Sequence, residues 1–415
     1  MASRRYESTD VGRAFELAAD RRAARAVTAK TVCVPRVLEI RRGAIADVAV
    51  LLAGADFPLG RTVVGTGGAR TARIAAGVVR QLRREGTCAV VPAAAPTAEG
   101  VSRLVEAIRR CRAEVCIAVG GGRVIDAVKH ACSLTDTRLV SLPTSLAHDG
   151  ISSPIASLVG PDGRRTSVGA VGPDAVVVDL DVVQGAPPRT SRAGAADLLS
   201  NLTALADWRL AVERGRDTYD GFSALVAEEA ARSLLGPGSA SPGGSLETLA
   251  RGLVLSGLAM AAARSSRPCS GAEHLISHSL DRLLGNRARL HGEQVALGVL
   301  IAGTAQGSLT PELAAAYDRW SLPRSPRDLG LDRGVVVEAV IRARETRPAR
   351  YTILDELELS RSGVEALVEQ AFATGDSRRR HGPRLSAAAE GDSARQRPRP
   401  RTSGVAPRTP RRRGP

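Results

Sequence analysis

Val115-Cys116-Ile117-Ala118-Val119-Gly120-Gly121-Gly122-Arg123-Val124-Ile125-Asp126-Ala127-Val128-Lys129-His130-Ala131-Cys132 is the stretch that decides the fold. Its first five residues form an uninterrupted apolar run, as expected of a short strand buried on both faces. Three glycines follow, and from Val124 to Cys132 the periodicity is helical. A strand that runs into glycines and then a helix lets backbone amides approach a phosphate closely, helped by the helix N-terminus. A plain strand-to-helix turn does not need three glycines, so the run favours a ligand. It is not the G-x-G-x-x-G dinucleotide fingerprint.

The same alternation extends outward from this stretch. Upstream, Val32–Arg42 is apolar with one proline and Gly43–Ala53 is helical. Arg61–Gly68 reads as a strand ending in glycines, Thr71–Glu85 as a helix, Cys88–Pro92 as a strand and Ala98–Cys111 as a helix. Downstream, Arg138–Leu142 is a strand. Residues 166–183 read as two more, the second being Ala175–Asp179, after an Asp162-Gly163 turn. Strands alternating with helices of this length predict a parallel sheet with helices on both faces. Directly after the strand at 138–142 comes Pro143-Thr144-Ser145-Leu146-Ala147-His148-Asp149-Gly150-Ile151-Ser152-Ser153. It lies at the carboxyl edge, where open α/β sheets bind ligands. Its hydroxyls and carboxylate suit a sugar-like or phosphorylated substrate, although such runs also make ordinary turns.

After Pro187-Pro188 the pattern changes. From Arg192 to about Phe372 it is helical nearly throughout, with breaks at Gly236–Gly244 and Leu322–Pro326. The expected organisation is an N-terminal extension (1–30), an α/β region with a Rossmann-like parallel sheet (31–186), an all-α region (187–375) and a tail (376–415). The tail is rich in Arg, Pro, Ser and Gly without apolar periodicity, which reads as disorder. Three of the six histidines fall in one window of the helical region: His274, His278 and His291. His274 and His278 are four apart, one turn along a helix face. Imidazoles so grouped fit a divalent transition metal, and equally fit core histidines with satisfied hydrogen bonds. The glutamate precedes His274, so the HExxH order of zinc proteases is absent. Asp197 stands among apolar neighbours, where an unpaired carboxylate is costly, and is the candidate third ligand.

Composition excludes some classes. The net charge is +15, but residues 376–415 hold twelve arginines against three acids, so +9 of it belongs to the tail. The charge therefore does not define a nucleic-acid-binding protein, though the tail leaves room for an accessory contact. Six cysteines without a CxxC pair read as reduced thiols of a cytoplasmic protein. No apolar run reads as a membrane span, and the N-terminus has no signal-peptide layout. Lysine occurs only at Lys30 and Lys129.

Taken together, the G-G-G-x3-D-x2-K run from Gly120 to Lys129, the Thr144-Ser145-x2-His148-Asp149-Gly150 loop and the later Asp197, His274 and His291 resemble the polyol-dehydrogenase superfamily. It includes iron-containing alcohol dehydrogenases, glycerol dehydrogenase and dehydroquinate synthase. Ser152-Ser153-Pro154, Ala196–Asn201, Glu273-His274 with His278, His291-Gly292-Glu293 and Arg350–Leu354 make the glycerol-1-phosphate dehydrogenase branch the nearest match, over roughly residues 33–360. Asn201 occupies the place where iron-type alcohol dehydrogenases put a further histidine, which also favours that branch.

The resemblance implies a dinucleotide-binding α/β part followed by a helical metal-binding part. It implies Asp197, His274 and His291 as ligands of Zn(2+), with Ni or Fe as alternatives. Asp149, Asp197 and His278 would contact substrate, with His278, Asp149 and Lys129 as the catalytic group. Gly120, Gly121, Gly122, Asp126, Thr144, Ser145 and Ser153 would hold NAD or NADP; Gly67-Gly68, without an acid for the adenosine ribose, is compatible with either. The implied reaction is reduction of dihydroxyacetone phosphate to sn-glycerol 1-phosphate, with Lys129 and nearby arginines meeting the phosphate. A dehydroquinate-synthase-like cyclase, or a dehydrogenase for another polyol phosphate, is the alternative. A cytoplasmic homo-oligomer is expected.

Overall fold

The structure, a computed structural model, describes residues 34–380 apart from 93, 162, 237–241 and 358–359. The expected N-terminal extension lies outside the described residues, as does the tail beyond Arg380. Eight strands are described: β1 (Val37–Arg41), β2 (Arg61–Thr66), β3 (Thr87–Val91), β4 (Val115–Gly120), β5 (Arg138–Pro143), β6 (Ile155–Val159), β7 (Arg165–Gly169) and β8 (Ala175–Asp179). Helices α1 (Val48–Gly54), α2 (Ala69–Glu85), α3 (Ala98–Cys111) and α4 (Gly122–Thr135) alternate with the early strands. The rest is helical: α5 (Leu180–Gln184), α6 (Pro188–Leu199), α7 (Asn201–Glu213), α8 (Gly221–Arg232), α9 (Pro242–Ala263), α10 (Ala272–Leu284), α11 (His291–Gln306), α12 (Pro311–Arg319), α13 (Arg333–Arg342) and α14 (Arg361–Arg380).

Six strands pair in the order β1-β8-β5-β4-β2-β3, all parallel. Every residue of β4 is buried, as its unbroken apolar run requires of a central parallel strand. Its side chains alternate: Val115, Ile117 and Val119 pack with Val48, Leu52, Val78 and Leu82 under α1 and α2. Cys116 and Ala118 join Leu104, Ile125 and Val128 on the opposite face, in a core that continues into α6, α9, α10 and α11. The chain goes from β2 outward to β3 and then returns across β2 to β4. The sheet order therefore switches between β2 and β4, where open α/β sheets leave a ligand crevice. Thr66 is level with Val119 in the register, so Gly67-Gly68 and Gly120-Gly121-Gly122 emerge side by side.

Local signals account for the helix ends. Thr97 accepts a hydrogen bond from Gly100 N at the start of α3, which carries Glu99 in its first turn and Arg109 and Arg110 in its last, matching cap and dipole preferences. Helix α4 begins at Gly122, earlier than the expected Val124, so Gly121 and Gly122 are themselves the helix N-terminus.

Two expectations are corrected. The strands read at 166–183 do not extend one sheet: β8 joins it, whereas β7 pairs antiparallel with the unanticipated β6, Ser157 facing Ser167. Within α9, Ser245–Ala263 is long and apolar enough to cross a membrane by length and composition, contrary to the reading that no run is. That stretch is 56% buried inside the molecule and supplies Leu249, Leu253 and Val254 to the core.

Candidate active site

Three helices bring one carboxylate and two imidazoles together. Asp197 is near the end of α6, His274 in the first turn of α10, and His291 is the first residue of α11. Close packing fixes these helices: a Cβ on Gly292 would lie 1.9 Å from Ala193 O, and one on Gly298 would lie 2.5 Å from Glu273 O. Asp197 Oδ1 is 3.6 Å from His274 Nε2 and 3.6 Å from His291 Nε2, and one donor atom from each residue lies within 4.8 Å of the others. Tetrahedral ligands about 2.0–2.2 Å from a zinc ion sit roughly 3.4 Å apart, with a fourth position left for substrate. The donor set fits a divalent metal, and two imidazoles with one carboxylate also suit iron or nickel.

The surroundings orient these donors. His274 Nδ1 pairs with Glu273 Oε1 at 2.9 Å and His291 Nδ1 with Ser277 Oγ at 3.2 Å, leaving both Nε2 atoms toward Asp197. Such outer partners fix tautomer and ring orientation in metal sites. Asp149 N donates to Asp197 Oδ2 at 2.9 Å, and Ser256 Oγ donates to Asp149 Oδ2 at 3.1 Å. Burial works against a charged His274, yet its bonds to Asp197 and Glu273 outweigh this and raise its pKa to about 9. Burial, then the His274 charge, lowers His291 to about 3. Burial, then the Asp197 carboxylate, raises Asp149 to about 7. Burial followed by the charge of Arg347 pushes His278 well below the ordinary imidazole range, so its ring is neutral.

These groups open on a cavity of 790 Å³ whose opposite wall includes Gly67, Gly68, Gly121 and Gly122 at the sheet's switch point. Each glycine of the run has its own reason. A Cβ on Gly120 would strike Val124, one on Gly121 would press Ser145 Oγ at 3.1 Å, and one on Gly122 would lie 2.0 Å from His148 Nε2. The first amides of a helix lack intrahelical partners, and at α4 they begin where Gly121 and Gly122 line the cleft, a setting suited to a dinucleotide's pyrophosphate.

Of the residues singled out from sequence, Gly121, Gly122, Asp126, Ser145, Asp149, Ser153, Asp197, His274, His278 and His291 line this one cavity. Gly120, Thr144 and Lys129 do not. Gly120 and Thr144 form the turn floor, Thr144 N donating to Gly120 O. Lys129 is fully buried, and its ammonium donates to Gly150 O and Ile155 O, each at 2.7 Å, with Asp126 at 3.6 Å. It braces the hydroxyl loop and does not line the cavity, a placement at odds with both its catalytic reading and the idea that it meets the phosphate. Sequence reasoning missed Ser157, Arg165 and Ser167 of the β6–β7 hairpin and Ser266, Ser270 and Arg347 of two loops, all on the wall. The Asp162-Gly163 turn and the strand read after it were the signals for the hairpin; the loops offered none.

A family model described as iron-containing alcohol dehydrogenase matches residues 39–187. The glycerol-1-phosphate dehydrogenase (NAD(P)+) of Hyperthermus butylicus is 39% identical over 272 residues, 65% of this chain and 77% of that protein. The protein of the same name from Thermococcus kodakarensis is also 39% identical, over 272 residues and the same shares, 65% and 77%. Among solved structures, a probable glycerol dehydrogenase from Sinorhizobium meliloti 1021 is similar with a TM-score of 0.69 at 22% identity, covering 84% of this chain and 100% of that one. Glycerol dehydrogenase from Schizosaccharomyces pombe gives 0.70 at 19% identity, covering 86% and 93%. The solved structures bear on the fold alone. The sequence relatives go further: the chain belongs to the glycerol-1-phosphate dehydrogenase family.

Proposed function

We propose that the protein is a metal-dependent, NAD(P)-dependent oxidoreductase that reduces dihydroxyacetone phosphate to sn-glycerol 1-phosphate. The observation that carries this reading is the meeting of Asp197, His274 and His291 with the Gly121-Gly122 turn across one cavity, in a chain whose relatives bear that enzyme's name. When bound, a zinc ion (or nickel or iron) supplies Lewis acidity at the ketone oxygen, and the reduced nicotinamide supplies the hydride. Asp197, His274 and His291 hold the metal, with Glu273 and Ser277 fixing the two imidazoles. Gly121, Gly122, Asp126, Ser145 and Ser153 hold the dinucleotide. Asp149, anchored by Ser256, accepts a hydrogen bond from a substrate hydroxyl. Neutral His278 relays the proton that the C2 oxygen gains.

The chain works in two parts that meet near residue 187, the sheet part for the dinucleotide and the helical part for the metal. It acts in the cytoplasm as a homo-oligomer; five described cysteines, all free, agree with a reducing compartment. Any nucleic-acid contact belongs to the basic tail and is accessory: deleting residues 376–415 should abolish DNA retention and leave turnover intact. The deciding assay is oxidation of NADH and of NADPH by zinc-loaded protein with dihydroxyacetone phosphate. Metal-dependent turnover to the sn-1 product, lost in His291→Ala, is expected. No turnover by folded, metal-loaded protein would remove this substrate.

A further inference from the structure

Two buried polar side chains stand behind the cavity wall. Asn201, the first residue of α7, and Ser256, midway along α9, are both fully buried, and neither lines the cavity. Asn201 comes four residues after Asp197, yet its amide is engaged elsewhere: Nδ2 donates to Ala227 O of α8 at 3.0 Å and to Ser256 Oγ at 3.3 Å. A carbonyl oxygen can only accept, so Ala227 O decides which end of the amide is nitrogen. Ser256 Oγ has one proton to give and three acceptors near it: Asp149 Oδ2 at 3.1 Å, Cys269 Sγ at 3.1 Å and Asn201 Oδ1 at 3.4 Å. A thiol sulfur accepts weakly, and Cys269 Sγ itself donates to Ser256 O at 3.4 Å. Asn201 already meets Oγ through its N–H, and Oδ1 is the more distant oxygen. The carboxylate of Asp149 is therefore the acceptor that keeps the proton.

The donors run one way, from Asn201 Nδ2 to Ser256 Oγ to Asp149 Oδ2, with a backbone carbonyl as the anchor. The Asp149 main chain is fixed separately, its N–H donating to Asp197 Oδ2 at 2.9 Å. With the main chain and Oδ2 both held, the carboxylate does not rotate freely. Its other oxygen, Oδ1, accepts from no group among the described residues, while Asp149 lines the cavity. An acceptor held in place and open to a cavity suits a ligand hydroxyl, whose bond weakens steeply with misalignment. Packing makes the brace firm. One turn before Ser256, a Cβ on Gly252 would lie 2.3 Å from Leu198 Cδ2 and 3.2 Å from Ala230 O; one residue after it, a Cβ on Gly257 would lie 2.1 Å from Ser152 Oγ of the hydroxyl loop. Helices α6, α8 and α9 and that loop thus leave Asn201 and Ser256 little room to turn.

We propose that Asn201 and Ser256 are positioning residues that hold Asp149 Oδ1 toward the substrate hydroxyl, and so set a preference for ketones bearing a free hydroxyl beside the carbonyl. That this hydroxyl belongs to dihydroxyacetone phosphate rests on the proposed reduction; the fixed acceptor rests on the hydrogen bonds themselves.

Dihydroxyacetone phosphate and hydroxyacetone phosphate differ only in that hydroxyl. Each is titrated calorimetrically into zinc-loaded protein saturated with oxidised NAD or NADP, which has no hydride to give, so binding is read without turnover. Reduction of each by NADH and NADPH is then followed. The parent should favour dihydroxyacetone phosphate by about tenfold in binding and about a hundredfold in kcat/KM. Ser256→Ala leaves Asn201 on Ala227 O and suits a helix, so it should fold as the parent does. Its preference should fall about tenfold, with hydroxyacetone phosphate bound and reduced as before. Asn201→Ala should act likewise, and the double variant should lose no more than Ser256→Ala alone, because the two residues act in series. If Asn201→Ala misfolds by stranding Ala227 O, Ser256→Ala decides alone. A parent that does not distinguish the two ketones, or a parental preference in Ser256→Ala, overturns the brace even if dihydroxyacetone phosphate is reduced. Equal losses for both ketones would mark a merely structural role and overturn it too. A binding preference that falls in Ser256→Ala, without reduction of either ketone by the parent, keeps the brace and overturns the assigned reaction.

Discussion

At Asp197 a single buried carboxylate faces two imidazoles and accepts a backbone amide from Asp149, so its charge organises the whole centre. Asp197→Asn should lower zinc affinity by at least about a hundredfold, read as metal content after dialysis. Metal content equal to the parent's would mean that the carboxylate is no ligand. The metal-free protein should also carry a pH signature. His274, raised from 6.5 to about 9 by its carboxylate neighbours against burial, contributes stability that is fully present below pH 6.5 and lost as pH rises through about 9. The loss is about 3 kcal/mol at most, measured as a falling denaturant midpoint for chelated protein between pH 6 and 9. Zinc competes for the same nitrogen, so its affinity should rise over that range; an affinity flat with pH would contradict the assignment. Asp197, His274 and His291 were legible in the sequence because their chemistry lies in the residue types themselves. Ser266, Ser270 and Arg347 were not, since serines and arginines are common in this chain and only the folded loops bring them together. Lys129 misled for the opposite reason. Rarity made it conspicuous but said nothing of where it points, and its ammonium is occupied by Gly150 O and Ile155 O. Lys129→Met should cost about 3 kcal/mol by stranding Asp126 and two carbonyls, visible as a lowered unfolding midpoint.

Among the elements, the parallel strands and their helices were readable because buried apolar runs and 3.6-residue periodicity are local properties. The β6–β7 hairpin was not. Ile155–Val159 follows directly on a hydroxyl-rich loop, and only its antiparallel partner at Arg165–Gly169 makes it a strand. What sequence periodicity also hides is how closely helices approach. Gly298 on α11 lies against the backbone of α10, where a Cβ would fall 2.5 Å from Glu273 O and 2.7 Å from Glu273 Cα. Backbone atoms cannot move aside as a flexible side chain could, so Gly298→Ala must separate the helices that carry His274 and His291. The expected cost is about 1–3 kcal/mol of stability, together with weaker zinc binding than the parent shows. A variant that loses stability while keeping parental zinc affinity would show that the metal site tolerates a shift between these helices.

For the whole molecule, the cavity is walled on one side by the carboxyl edge of the sheet and on the other by helices α6, α10 and α11. A single core runs beneath both, from Leu104 and Ile125 beside the sheet to Leu198, Leu275 and Val299 in the helices. Ligands at either wall should therefore stabilise the chain against one cooperative unfolding. Each that binds only the folded state contributes about 2.7 kcal/mol at a hundred times its dissociation constant. Zinc and NAD should each raise the thermal midpoint of chelated protein, yet by separable routes. The proposed metal ligands come from three helices, whereas Gly121 and Gly122 are held by β4 and α4. In His291→Ala the shift produced by zinc should disappear and the shift produced by NAD should persist, as a calorimetric scan of the four combinations would register. Loss of both shifts in that variant would mean that the metal builds the entire cleft. Persistence of the zinc shift would place the ion somewhere other than at Asp197, His274 and His291.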